Sequence, residues 1–151
     1  MKKFIFKLET VLNVKERKEE LLRHELMKLQ ALKLQEEQLL DEVKQQRVKI
    51  SQEKAVENKK GTDIQSLRYF EQYLAVLLKK IDDTKKSIKA LEKKADKKRE
   101  EVVEASREKK VFEKLKAKQF DEFKRLVVQN EQKALDEMAV SKFNRKEQKS
   151  Y

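Results

Sequence analysis

Residues 67–112 read LRYFEQYLAVLLKKIDDTKKSIKALEKKADKKREEVVEASREKKVF. Apolar side chains recur here at alternating steps of three and four. With Leu67 at position a of a heptad, the a positions are Leu67, Leu74, Ile81, Ile88, Ala95 and Val102. The d positions are Phe70, Leu77, Thr84, Leu91, Lys98, Ala105 and Phe112. A seam kept in phase over this length predicts a long helix that packs along its axis against another helix. Such a chain has little room for a pocket, and its role is expected to be mechanical or connective.

Composition agrees. Of 151 residues one is glycine, and there is no proline, cysteine or tryptophan. Charged residues make up 44% and hydrophobic ones 38%, which in a Glu-, Lys- and Leu-rich chain with a 3.5-residue period marks a coiled coil rather than a globule. High charge with few aromatics also marks disordered chains, but a disordered chain would not hold Leu and Ile in register. The net charge of +11 suits acidic partners, or simply a solvated face that keeps a long helix soluble. No apolar run reaches the length of a membrane span. The opening Met1-Lys2-Lys3-Phe4-Ile5-Phe6-Lys7 is basic but lacks a signal-like apolar core. The absence of cysteine excludes thiolate chemistry, and a cytoplasmic setting is expected.

One strong break interrupts the chain, at Glu57-Asn58-Lys59-Lys60-Gly61-Thr62-Asp63. Gly61 and Asn58 tolerate left-handed backbone angles, so a first helix over about 10–57 stops here and a turn spans 58–62. Thr62 with Gln65 predicts a capping box for a second helix over about 63–140, with Asp63 favourable to its dipole and a tail over 141–151. The stripe of the first helix reads Leu8, Leu12, Leu22, Leu26, Leu29, Leu32, Leu40, Val43 and Ile50, with Lys15, Glu36 and Arg47 at seam positions where only their stems can pack. A short link sends two long helices back antiparallel. The predicted fold is therefore all-α: a long antiparallel two-helix coiled-coil hairpin, with helices of ~70 and ~110 Å, the second the longer. Counting out from the turn sets Ile50 against Phe70 and Leu8 against Phe112.

The expected overhang past Leu115 is not polar. It carries Phe120, Phe123, Leu126 and Val127 on one face, while the N-terminal segment offers Phe4, Phe6 and Leu8. Burying one such side chain is worth ~1.5–3 kcal/mol, so these groups should pack on each other, self-associate, or anchor a partner. Near the turn, Tyr69, Tyr73 and Val76 form a second stripe that the hairpin does not require, suited to protein docking.

No catalytic constellation is present. His24 is the sole histidine, which leaves no metal pair and no Ser-His-Asp set, and no glycine-rich loop cradles phosphate. An enzyme, a cofactor and a small-molecule substrate are not expected. Basic clusters such as Lys85-Lys86, Lys93-Lys94 and Lys97-Lys98-Arg99 alternate with Asp82, Asp83, Glu92, Asp96 and Glu100, a mixture that supports a helix more than it binds nucleic acid. Membrane-surface binding would need a helix with one broad apolar face, and the long narrow seam is wrong for it.

Three stretches resemble a known family. Phe4-x-Phe6-x-Leu8-x-x-Val11-Leu12 followed by Lys15-Glu16-Arg17-Lys18-Glu19-Glu20, then Tyr69-Phe70-x-x-Tyr73-Leu74-x-x-Leu77, and finally Glu131-Gln132-Lys133-x-Leu135-Asp136-Glu137-Met138-Ala139 with Phe143-Asn144-Arg145-Lys146-Glu147 are similar in order and spacing to FliJ proteins of the bacterial flagellar export apparatus. The resemblance implies an antiparallel two-helix stalk, similar to the central stalk of rotary ATP synthases, whose paired termini enter a hexameric export ATPase. Here those termini carry Phe4, Phe6, Leu8, Leu12, Phe120, Phe123 and Val127. It further implies a turn-side contact with the export-gate membrane protein, at positions matched by Gln38, Tyr73 and Leu77 with Tyr69 beside them, and an escort role for late-substrate export chaperones. Tyrosines expected further along the first helix are absent, with Gln45 and Lys49 in that stretch. The implied location is cytoplasmic, peripheral to the inner membrane. The alternatives are the equivalent stalk of a virulence secretion system, a self-assembling structural coiled coil, and a basic nucleic-acid-binding helix.

Overall fold

The computed structural model describes residues 3–150. Two helices, α1 (Glu9–Lys60) and α2 (Ile64–Gln148), pack against each other as a hairpin, and no strand occurs among the described residues. Met1, Lys2 and the last residue of the expected tail, Tyr151, lie outside them. Contacts divide the chain into two units. One joins the residues up to Lys18 with those from Ala105 onward, and the other is Glu19–Glu104.

The turn differs from the sequence expectation in where α1 ends and in which residue caps α2. α1 runs through Asn58 to Lys60, and only Gly61 adopts a left-handed angle, φ 78°. Its N–H donates to the Asn58 carbonyl at 3.4 Å. A side chain at this angle is strained even though open space surrounds the position. The cap of α2 is Asp63, not Thr62. The Asp63 carboxylate accepts from the Ser66 N–H at 3.0 Å, whereas the Thr62 hydroxyl turns back and donates to the Glu57 carbonyl. Asp63 thus satisfies an orphan first-turn donor and no Thr62–Gln65 box forms. At its far end α2 passes through the expected tail to Gln148, because nothing between Met138 and Gln148 breaks a helix and Arg145 and Lys146 suit the last turn.

In the unit Glu19–Glu104, Leu77 (4% exposed), Ile81 and Val43 form the core, with Leu39, Leu40 and Ile50 packed on it. Thr84 and Ala95 complete the buried part of the α2 seam here. Thr84 at d is tolerated because its hydroxyl donates to the Lys80 carbonyl at 2.7 Å. Cross-helix pairs fix the antiparallel register: Lys54 with Glu71 at 3.6 Å, Lys33 with Glu92 at 3.6 Å, and Lys98 with Glu25 at 2.8 Å. Glu19, buried at a seam position of α1, is held by Arg23 one turn on, at 2.6 Å. The expected inward Leu32 is 49% exposed, and the half-buried Lys33 takes the seam position instead.

In the other unit Phe6, Leu12 and Ala105 are buried. Lys15 pairs with Glu108 at 2.9 Å and Glu9 with Lys116 at 2.9 Å. Leu8 was expected opposite Phe112, but its neighbour Glu9 reaches Lys116, a displacement of about one helical turn.

These ion pairs give the fold a pH signature. The Lys15 ammonium, bonded to Glu108, holds that carboxyl below the ordinary glutamate value of 4.5, with Lys18 adding to the effect. The Ser66 N–H holds Asp63 below 3.8. Bonds to Glu25 and then Glu101 raise Lys98 above 10.5. A carboxyl lowered in the fold contributes stability above its unfolded value and loses it as pH falls through the folded one, and a raised lysine contributes below its unfolded value and loses it as pH rises. Thermal midpoints followed by circular dichroism are therefore expected to be level between about pH 5 and 10 and to fall on both sides. Glu108→Gln should flatten the acid limb. A midpoint at pH 3 equal to that at pH 7 would contradict this account.

Candidate docking surfaces

The first surface is built by the segment before α1. Residues 3–6 are not helical, and the Glu9 N–H closes onto the Phe6 carbonyl at 3.1 Å where α1 begins. This strap lies along α2. The Phe4 ring meets Phe120 edge-on, with centroids 5.2 Å apart, and Phe123 at 5.7 Å. Lys124 stands over the Phe120 ring at 4.8 Å, a cation–π contact that the i, i+4 spacing could have signalled and that the sequence reading missed. Of the seven residues expected at the termini, Phe6 and Leu12 are spent on the internal core. Phe4, Leu8, Phe123 and Val127 are half-buried, and Phe120 is 43% exposed. The expectation that the apolar ends pack on each other therefore holds for the strap and residues 120–123. Beyond Val127 every described α2 residue is exposed, including Leu135, Met138 and Phe143.

The second surface lies in the unit Glu19–Glu104. Tyr69 is 74% exposed and Val76 62%, so the second stripe does face outward. Tyr73 is partly engaged, since its hydroxyl accepts from the Gln46 side-chain amide. Leu77 is a core residue with almost no surface to offer. Gln38 is exposed but lies about 12 Å along α1 from Gln46, the α1 side chain that stands beside Tyr73. Tyr69, Tyr73 and Val76 are thus brought together, while Gln38 and Leu77 do not join them.

The model of the family described as Flagellar FliJ protein matches residues 3–148. The chain belongs to the FliJ family. FliJ-family proteins are flagellar export components, a non-enzymatic structural and chaperone-escort group, which places this chain with the flagellar export machinery. No curated protein and no solved structure matches it. Among the described residues no helix is long and apolar enough to cross a membrane.

Proposed function

We propose that this FliJ-family chain is the stalk-like component that links the hexameric flagellar export ATPase to the export-gate membrane protein, escorts late-substrate export chaperones, and works at the cytoplasmic face of the inner membrane. The observation that carries the reading is the aromatic cluster of Phe4, Phe120 and Phe123, assembled by the strap on α2 and left open on the Phe120 side. Aromatic side chains that remain accessible on a rigid helix are the usual anchors of protein interfaces. A stalk of this kind does no chemistry. It acts by touching the subunits of a ring unequally, which favours one subunit conformation over another. Tyr69, Tyr73 and Val76 supply the gate contact in this scheme, and the flagellar family match favours it over a virulence-type stalk.

The scheme is tested by separating the two surfaces. Replacing Tyr69 and Tyr73 together by serine is expected to weaken binding to the gate protein's cytoplasmic domain at least about tenfold and to reduce motility, with ATPase binding unchanged. Tyr69 is exposed and Tyr73 gives up its contact with Gln46 at the edge of the seam, so the melting midpoint should fall only modestly. Loss of ATPase stimulation in this variant would contradict a division of labour between the two surfaces.

A further inference from the structure

The positive charge of this chain is not spread evenly. On the outward face of α2, Lys79, Lys86 and Lys93 recur every seven residues at position f, furthest from α1, with Lys89 and Lys97 flanking them and Asp82, Asp83 and Asp96 interspersed. All five lysines are exposed. Lys86 pairs with Asp82 at 3.2 Å, while Lys79, Lys89, Lys93 and Lys97 have no ion pair among the described residues. Lys89, Lys93 and Lys97 are spaced i, i+4, i+8, and of the acids at helical spacing from them Glu92 pairs with Lys33, Asp96 with Arg99 and Glu101 with Lys98. The strip is straight, about 27 Å long, and ends where Glu100 and Glu104 begin. The back of α1 in the same unit mixes Met27, Ala31, Leu34 and Val48 with charges of both signs, Lys28, Asp41, Glu42 and Lys49.

We infer that this strip is a docking line for the anionic headgroups of a lipid bilayer. Three features favour a membrane over other acidic partners. The strip carries no aromatic or large apolar side chain, only Ala90, so it lacks the buried anchor that a protein interface needs, and lysine is depleted in such interfaces. It presents no Arg, Asn or Gln to read bases, and a straight line of charges meets the coiling phosphates of a duplex at few points. A planar surface of headgroups reaches all five lysines at once. Hydrated ammonium groups gain from that field without inserting, so no apolar face is required. The strip contains none of the residues given to the ATPase or the gate, and the inference stands apart from those assignments.

Flotation of the full chain with vesicles tests it. At about 0.1 M salt the protein should bind phosphatidylcholine vesicles containing roughly 30% phosphatidylglycerol, ignore pure phosphatidylcholine, and be released near 0.5 M salt. The quadruple variant K86Q/K89Q/K93Q/K97Q should bind about tenfold or more weaker. A control of equal charge, K114Q/K118Q/K142Q/K146Q, should stay within about threefold. Glutamine is a good helix former, so circular dichroism should show both variants folded. The single variant Lys93→Gln, in which folding is not at stake, should lose about two- to fivefold. Equal losses in the two quadruple variants would overturn the strip in favour of diffuse net charge. Failure of the wild-type chain to bind anionic vesicles would overturn it outright. Tighter binding to a duplex of about 20 base pairs than to the vesicles at the same salt would assign the lysines to nucleic acid instead.

Discussion

Leu77→Ala is expected to cost the fold about 2–5 kcal/mol, the usual range for emptying a buried leucine site. Leu77 is 4% exposed and sits between Val43 and Ile81, with three further aliphatic side chains packed around them. Two helices form a core only one layer thick, so no second layer can close over the space left behind. Against a typical total of about 5–15 kcal/mol, the loss is a large fraction of what holds the hairpin together. Urea titration followed by circular dichroism measures it directly. Leu78→Ala and Val76→Ala provide the contrast: both side chains are more than half exposed, and each change should fall within about 0.5 kcal/mol of wild type. A Leu77→Ala chain as stable as those two would mean that the α2 seam is not where the stability resides. The comparison also bears on function. Leu77 matches a gate-contact position by resemblance, yet it has almost no surface, so any motility defect in Leu77→Ala should track the lost stability and be relieved at lower temperature.

The contrast between the two helices shows what the sequence could reveal. In α2 the expected a and d positions from Leu67 to Phe112 are all buried or half-buried, because apolar residues fill most of them and the 3–4 alternation has one solution. In α1 the same reading went astray. Leu32, Lys33 and Leu34 lie side by side, and an apolar count favours the leucines. Packing selects Lys33, whose stem lines the seam while its ammonium reaches Glu37 and Glu92. Glu19 was invisible for the same reason, since nothing local distinguishes a buried carboxylate from the many solvated ones. The register slipped for a different cause. Asn58, expected in the break, is helical, and with the centre of the turn at Gly61–Asp63 ion pairs such as Lys54–Glu71 and Glu9–Lys116 lie about one turn further along α2 than the expected pairing. For the candidate surfaces, periodicity correctly placed Tyr69 and Val76 outside and brought the apolar termini together. It could not show which apolar residues the core would consume, because Phe4 and Phe6 belong to a non-helical strap to which no helical period applies.

The second large effect concerns that strap. Replacing Phe120 and Phe123 together by serine should lower affinity for the export ATPase by at least about 30-fold, the equivalent of one interface hot spot of about 2 kcal/mol. The helix signal should persist, since α2 continues for some 25 residues past Phe123 and serine at two positions does not break a helix. Phe4→Ser alone adds the decisive arm. Its ring touches both Phe120 and Phe123, and removing it leaves two rings on an exposed helix face with no cover from the strap. If the three rings present one composite surface, Phe4→Ser weakens ATPase binding as the double variant does, though less, because Phe120 remains. This is the expected outcome, since Phe120 is already open to solvent with Phe4 in place and a cover that hides its target would be expected to hide it fully. Tighter binding by Phe4→Ser would instead make the strap a competitor for the patch. Unchanged affinity in all three variants would remove the aromatic cluster from the ATPase contact and leave the exposed α2 face beyond Val127 as the surface to examine.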